Sequence, residues 1–237
     1  MLLFFLRHGD PIYNPDSLTP LGTRQAEALA RRLARYGLDR IYASSSTRAR
    51  LTAQPTCELL KLDAEILDWC NEQYAWEQLA LETDGRRKWA FQNDFYREKF
   101  LSAEVRALGE RWYEHPAFAG TQLGAGIERI ARETRAFLYA LGYDYDAESN
   151  AYLTPGGNHE RIALFAHQGF GLAFLSCVLG IPYPEFATHF DMGHSGMTVI
   201  RFGEEPGWTA PCVLQLANDS HIYADGLPTS YQNRIYI

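Results

Sequence analysis

The chain has 237 residues, of which 46% are hydrophobic and 22% are charged. These values are typical of one folded domain, with or without an insertion, and they argue against intrinsic disorder. The formal net charge of −7 argues against a protein that binds nucleic acid through general charge attraction.

The cysteines and the apolar segments limit where the protein can act. The four cysteines are scattered and form no CxxC pair, a pattern typical of reduced thiols rather than of a disulfide framework. The apolar run at 2–6 is too short for a signal peptide, and no stretch approaches the length of a membrane span. We therefore expect a cytoplasmic protein that has no membrane partner, and the sequence leaves its oligomeric state open.

The beginning of the chain alternates between strand and helix patterns. The apolar run at 2–6 predicts a central strand, because a strand covered on both faces has no polar side. Thr19 and Pro20 open a helix that Gly37 closes. A second strand at 40–43, a helix at 47–61 and a third strand at 64–67 follow. This order predicts a three-layer α/β/α sandwich around a mostly parallel, Rossmann-like sheet.

The alternation stops after the third predicted strand. Residues 69 to about 126 are aromatic-rich and polar without a strand signal, and we interpret them as a helical insertion that forms a lid. A helix at 127–141, a loop at 143–159, a buried strand at 161–166 and a helix at 170–179 follow. Strands at 198–202 and 213–217 complete the sheet. We predict that 1–237 is a single domain.

Two of the predicted strands end in histidine, in Arg7-His8-Gly9 and in His167-Gln168-Gly169. The carboxyl ends of parallel strands meet at one edge of the sheet, so both histidines should project into one crevice. Arg48 lies in the opening turn of the helix after the second strand, where free N–H groups also attract anions. One histidine could then attack phosphorus while the other groups hold the oxygens. The alternative is two structural histidines, which the pair of matching arginines makes the weaker interpretation.

Four motifs in chain order resemble the histidine phosphatase superfamily, also called phosphoglycerate mutase-like. They are Arg7-His8-Gly9 with Asn14, LTPLGTRQA at 18–26, YASSSTRARLTA at 42–53, and FAHQG at 165–169. The resemblance spans nearly the whole chain and implies phosphoryl transfer without a metal or a cofactor. It implies that His8 is the nucleophile and that the phosphoryl group is bound by Arg7, Arg48, His167 and Asn14.

The sequence departs from the family pattern at two positions. Asp10 stands where Glu or Thr is usual, and Ser45 stands where Pro is usual. Neither position carries the phosphoryl contacts that the resemblance implies. We therefore expect altered substrate contacts rather than a loss of catalysis.

The leaving alkoxide needs a proton, which a carboxylic acid with a raised pKa can supply. The resemblance implies a glutamate shortly after the third strand, and Glu72 fits that position in DWCNEQYAW at 68–76. Asp68 and Glu77 are the alternatives for this acid.

Candidate substrate contacts lie in the insertion and in a late loop. Arg86 and Arg87, in the only dense basic run, could clamp a second phosphate or a carboxylate, although such runs are often solvated helix faces. Tyr74 is one of several aromatic residues that could stack on a ring. His194 lies in a loop whose equivalent lines the pocket in the resembled family.

The same late loop also has the spacing of a metal site. His189, Asp191 and His194 form an H-x-D-x-x-H pattern, but no cysteine supports a zinc interpretation. We therefore expect no metal.

The resulting prediction is a metal-independent phosphatase that hydrolyses small-molecule phosphomonoesters through a phosphohistidine intermediate on His8. A mutase is the first alternative, but the long segment that glycolytic mutases carry after the position of Trp76 is missing. A non-catalytic phosphate- or phosphoprotein-binding module is the second. Its mark would be the loss of the nucleophile, an arginine or the second histidine, and all four residues are present.

Overall fold

The computed structural model describes residues 1–83 and 85–229. Its strands are, in chain order, β1 (Leu2–Arg7), β2 (Pro11–Tyr13), β3 (Asp16–Leu18), β4 (Arg40–Ser44), β5 (Ala64–Leu67), β6 (Ala80–Thr83), β7 (Arg86–Trp89), β8 (Asp144–Asp146), β9 (Ala151–Thr154), β10 (Arg161–Ala166), β11 (Met197–Arg201), β12 (Gly207–Thr209) and β13 (Cys212–Asn218). Its α-helices are α1 (Pro20–Tyr36), α2 (Thr47–Leu60), α3 (Glu72–Leu79), α4 (Asp94–Phe100), α5 (Ala103–Ala107), α6 (Leu123–Ala140), α7 (Gln168–Leu179), α8 (Tyr183–His189) and α9 (Ser220–Ala224). Short 3₁₀ segments lie at Asp68–Cys70, Ala90–Gln92, Gly109–Glu114 and Pro116–Phe118.

The central sheet has six strands in the order β13-β11-β1-β10-β4-β5. Strands β1, β10, β4 and β5 are parallel, whereas β11 runs antiparallel to both of its neighbours. The predicted α/β class with a mostly parallel sheet flanked by helices is therefore confirmed. The ends of β1 and β10 lie level, because Arg7 is the register partner of Ala166.

The apolar run in β1 supplies both faces of the sheet. Leu3 and Phe5 belong to the core beneath α6 and α7, and Phe4 and Leu6 belong to the core beneath α1 and α2. Successive side chains of a strand point to opposite faces, so a strand covered on both sides must be apolar throughout. Among the helices of the described residues, none combines the length and the hydropathy that crossing a membrane would need.

The insertion is not purely helical, so the prediction of no strand at 69–126 was wrong. Strands β6 and β7 form an antiparallel hairpin in which Ala80 is the register partner of Trp89. The composition of β7, with three charged residues, does not predict a strand. The strand is stabilised by pairing with β6, which a local sequence pattern does not show. The Asp-Gly pair at 84–85 was an unused hairpin signal. Helix α6 also begins at Leu123, before the predicted start at 127.

The predicted loop at 143–159 also contains strands. β8 and β9 pair with each other, and β12 pairs with β9, in a three-stranded antiparallel sheet. Tyr143 and Tyr152 are buried and both contact the ring of Phe202. The alternating tyrosines of this segment are typical of a strand. The surrounding Asp and Asn residues are typical of turns, and they favoured the prediction of a loop. The predicted loop after β1 likewise contains the β2–β3 hairpin, and α8 was not predicted.

Candidate active site

The two histidines follow the level ends of β1 and β10. His8 is 1% exposed and His167 is 0% exposed, and their ring centroids are 5.2 Å apart. The backbone N–H of His8 donates to the Ala166 carbonyl at 3.0 Å, and the N–H of Ser195 donates to the His8 carbonyl at 3.0 Å. The sheet and the late loop therefore hold the His8 backbone from both sides.

The tautomer of His8 follows from one short contact. Its Nδ1 lies 2.7 Å from the Gly9 carbonyl oxygen, which can only accept a hydrogen bond, so Nδ1 carries the proton. Nε2 is then left with a lone pair. Burial is the largest cause that holds the pKa of His8 well below its usual range, and the neighbouring His167 and Arg7 lower this pKa further. The ring is therefore neutral and nucleophilic near neutral pH.

A close backbone approach fixes the loop that carries His8. A Cβ on Gly9 would lie 2.5 Å from the Gly22 carbonyl oxygen, so only glycine fits at this crossing with α1. The Gly9 N–H also donates to Thr52 Oγ1 of α2 at 3.0 Å. Three segments distant in sequence thus meet directly behind the His8 side chain.

Two guanidinium groups lie beside the histidines. The Arg7 side chain is buried and its Nη1 donates to the Met192 carbonyl at 2.6 Å, while Arg48 lies in the first turn of α2. Each arginine has a buried Nε with no hydrogen-bond partner among the described residues. Their charges lower the pKa of His167, after the larger effect of burial. Unused charged donors at one point favour an anion there.

Glu72 faces this group from the first turn of α3. Its Oε1 accepts from the N–H of Gly169 at 2.8 Å, and its Oε2 lies 3.3 Å from Arg48 Nη2 and 3.5 Å from His167 Nδ1. Burial raises the pKa of Glu72, and the two arginines and backbone N–H groups oppose that rise. The carboxyl is thus poised to gain or lose a proton at this position.

The other two candidate acids lie elsewhere. Asp68 is exposed and accepts from Ser45 Oγ at 2.6 Å and from the Tyr74 hydroxyl at 2.8 Å. Glu77 is exposed one helical turn beyond Glu72. Of the three carboxyl groups, only that of Glu72 contacts His167.

Arg7, His8, Arg48, Glu72 and His167 form one cluster, called the phosphate cluster below. Asn14 does not contact this cluster, whereas Asp16 contacts it through Arg48. Asn14 is exposed at the turn of the β2–β3 hairpin, preceding a cis proline. Asp16 Oδ1 accepts from Arg48 Nη1 at 2.8 Å, and its Oδ2 accepts from the Thr47 N–H at 2.7 Å. Sequence reasoning missed Asp16, because nothing local indicates that its hairpin folds onto the start of α2.

The candidate substrate contacts of the insertion lie outside the cluster. Arg86 and Arg87 are exposed on strand β7 rather than on a helix, and Arg87 Nη2 donates to the Glu77 carbonyl at 2.8 Å. Tyr74 is 42% exposed and is bonded to Asp68, outside the lining of the cleft described below.

His194 lies beside the cluster. Its ring centroid is 5.8 Å from that of His8, and its Nδ1 lies 3.3 Å from Asp10 Oδ1. Burial, and secondly the charge of Arg7, lowers the pKa of His194 to about 4. Asp191 of the H-x-D-x-x-H pattern accepts hydrogen bonds from the Gln168 side chain and from the Met192 N–H.

A possible metal trio does occur at the cluster itself. His8, Glu72 and His167 have potential ligand atoms within 4.8 Å of one another, the one such group found in residues 1–83 and 85–229. The two adjacent guanidinium groups repel a cation and attract an anion, so the electrostatics favour a phosphoryl group at this point.

A cleft of about 820 Å³ leads from the cluster to solvent. It is bounded by the β2–β3 hairpin, the start of α2, helix α3 and the end of β7. Its lining residues are Tyr13, Asp16, Ser45, Ser46, Thr47, Arg48, Asn71, Glu72, Gln73, Trp76, Glu77 and Trp89. A Cβ on Gly169 would lie 2.3 Å from the Trp89 ring, so Trp89 packs directly on the start of α7. Trp89 is one of the insertion's aromatic residues that sequence reasoning considered for stacking on a ring or for anchoring the insertion to the sheet.

Comparison with known proteins agrees with this geometry. The family profile for the histidine phosphatase superfamily (branch 1) matches residues 3–134. The chain therefore belongs to the histidine phosphatase superfamily. No curated protein sequence matches it.

Several solved structures share the fold at low sequence identity. A phosphoserine phosphatase from Entamoeba histolytica, in complex with 3-phosphoglyceric acid, has 18% identity and a TM-score of 0.61 over 93% of this chain and 98% of that chain. A mycobacterial glucosyl-3-phosphoglycerate phosphatase complexed with VO3 has 20% identity and a TM-score of 0.57, over 90% and 97%. A putative alpha-ribazole-5'-P phosphatase from Escherichia coli has 20% identity and a TM-score of 0.58, over 92% and 98%.

Proposed function

We propose that the protein is a metal-independent phosphatase that hydrolyses small-molecule phosphomonoesters through a phosphohistidine intermediate on His8. The observation that carries this proposal is the Nδ1 contact of His8, which leaves a neutral Nε2 beside Arg7 and Arg48. A nucleophile with its lone pair free suits attack on a phosphate when two guanidinium groups, each with an unpaired buried Nε, lie beside it.

In the first step, His8 Nε2 forms a bond to phosphorus as the bond from phosphorus to the ester oxygen breaks. The leaving alkoxide takes a proton from Glu72, while Arg7, Arg48 and His167 hold the phosphoryl oxygens. In the second step, water attacks phosphorus and gives its proton to Glu72. The phosphorus–nitrogen bond breaks, and its electron pair returns to His8. Phosphate leaves and the enzyme is restored.

The position of Glu72 supports both of its roles. Acid and base catalysis by one carboxyl needs a pKa close to the working pH, and burial raises that of Glu72. The N–H of Gly169 holds Oε1, which leaves Oε2 beside Arg48 and His167 to exchange the proton. Asn14, which is exposed, is left out of this mechanism.

We also propose that the protein acts in the cytoplasm on a small phosphorylated molecule. The cysteines support a reducing compartment, because all four are free thiols: Cys57, Cys70, Cys177 and Cys212.

The test is hydrolysis of p-nitrophenyl phosphate in excess EDTA by the wild type and by His8→Ala. We expect turnover to survive chelation and to fall by more than about 10⁴-fold in the variant, the scale of losing a covalent nucleophile. His159→Ala is the matched control, since His159 is exposed and pairs with Glu204 away from the cleft. Rapid acid-free quenching with a ³²P-labelled ester should also trap label on the wild type only.

Other outcomes separate the alternatives. Loss of activity in EDTA, or full activity in His8→Ala, would contradict the proposal. Labelled protein that passes its phosphate to a second alcohol instead of to water would identify a mutase. Phosphate binding with no turnover and no label would identify a binding module.

A further inference from the structure

The cleft outside the phosphate cluster is acidic. Its acidic lining residues are Asp16, Glu72 and Glu77, and its one cationic lining residue is Arg48. In the proposed mechanism Glu72 enters the reaction protonated, so the negative charge of the cleft comes from Asp16 and Glu77. Arg48 is already shared, since its Nη1 lies 2.8 Å from Asp16 and its Nη2 lies 3.3 Å from Glu72. The part of a substrate that extends beyond its phosphate therefore meets negative charge.

The cations of β7, Arg86, Arg87 and Lys88, are not among the residues that line this cleft. Arg87 Nη2 donates to the carbonyls of Glu77 and Trp76 at the end of α3, at 2.8 Å and 3.4 Å. Lys88 lines a different cavity, together with Asp191. A second anionic group on the substrate would lose its water beside Glu77 without gaining a free cationic partner among the residues that line the cleft.

The wall of the cleft also presents aromatic rings. The indoles of Trp76 and Trp89 meet edge to face, with centroids 5.0 Å apart. Tyr13 also lines the cleft; it is 68% exposed, and its ring centroid lies 5.4 Å from the Arg48 guanidinium carbon. Aromatic faces stack on flat rings and attract cations. Trp89 is held against Gly169, next to the Glu72 contact, so this wall lies where the leaving alcohol would emerge.

We propose that the substrate is a phosphomonoester whose alcohol carries a flat ring and no second negative charge, with a cationic substituent favoured over an anionic one. This inference rests on the proposed function and names its substrate class. Glu77 is the residue that sets the charge preference, since it is the lining carboxylate with no ion pair to Arg48.

The test compares two esters that differ in one charge. 4-(Aminomethyl)phenyl phosphate and 4-carboxyphenyl phosphate share the ring and the phosphate, and phenyl phosphate is the neutral reference. We expect the wild-type kcat/KM for the aminomethyl ester to exceed that for the carboxy ester by about tenfold. Glu77→Gln should reduce this ratio, and Glu77→Lys should reverse it. Glu58→Lys, an equal charge change on the exposed side of α2, should leave the ratio unchanged.

Binding to His8→Ala, measured by calorimetry with the same two esters, repeats the comparison without turnover. Equal affinities, or tighter binding of the carboxy ester, would overturn this inference. Absence of turnover by the wild type on all three esters would instead contradict the proposed phosphatase.

Trp76→Ala tests the ring contribution separately. It should raise KM for phenyl phosphate several-fold and leave KM for phosphoethanolamine, which has no ring, nearly unchanged. An equal effect on both esters would contradict the stacking role.

Discussion

The inner phosphate cluster and the outer wall of the cleft are built in opposite ways. His8 and His167 are buried at strand ends whose register is set by the central sheet. Trp76 and Glu77 lie on a short helix of the insertion, and Trp89 lies at the end of a two-stranded hairpin. The positions of the two histidines are therefore set by the backbone hydrogen bonds of the sheet, so a change to any one side chain should not move them. The outer wall depends on a few side chains. Under the proposed function, the sheet edge carries the chemistry and the insertion selects the substrate.

Arg48 lies in both regions, so of the variants that distinguish the inner cluster from the outer wall, Arg48→Ala should have the largest effect. Arg48→Ala removes a charged donor from the inner cluster and should lower kcat/KM on the order of 10³-fold. Arg48→Lys should recover only part of the loss, because an ammonium cannot replace the guanidinium fork. Steady-state kinetics with p-nitrophenyl phosphate measure both. Arg50→Ala, at an exposed position of the same helix, should keep full activity.

Glu72→Gln should give an effect that depends on the leaving group. In the proposed mechanism a leaving alkoxide takes its proton from Glu72, so alkyl phosphates should lose about 10²-fold in kcat. The p-nitrophenolate ion leaves without protonation, so its ester should lose far less. Asp68→Asn is the control, and its activity should match the wild type with both esters. Equal losses for both esters in Glu72→Gln would show that Glu72 is not the acid.

The pH profile tests the burial of the inner cluster. His8 must be unprotonated to attack, and its lowered pKa keeps it so as the pH falls through the ordinary histidine value of 6.5. The acid limb of kcat/KM should therefore lie below pH 6.5. With alkyl phosphates, the deprotonation of Glu72 should also lower the rate on the alkaline side. An acid limb centred at or above 6.5 would contradict a desolvated His8. The same pH profile measured with His194→Asn shows whether His194, whose pKa is also lowered, contributes to the acid limb.

The smallest effect should come from the basic run on the outer surface. Arg86 is exposed and outside the residues that line the cleft, so Arg86→Ala should change kcat/KM by less than about twofold, the ordinary range for a surface charge. The measurement uses p-nitrophenyl phosphate and 4-carboxyphenyl phosphate in parallel. A loss of activity with the carboxy ester alone would show that Arg86 binds the second anionic group of a substrate. It would contradict the inference that the cleft disfavours such a group.

Much of the inner region could be predicted because its signals are local. The apolar run of β1 implied a strand covered on both faces, and the two histidines followed directly from where their strands end. The outer region was predicted less well. Its hairpin has three charged residues in one strand, and its stability comes from cross-strand pairing that no local pattern reveals.

The sequence by itself determined the layered α/β architecture, the family, and the strand and helix ends that bear His8, His167 and Arg48. These depend on periodicity and on short motifs, which act over a few residues. The tertiary structure decided which carboxyl joins them and what faces the substrate. Glu72 bonds to Gly169 across 97 positions of sequence, and Asp16 reaches Arg48 across 32. Such contacts arise from the packing of distant segments, so their geometry exists only once the chain has folded.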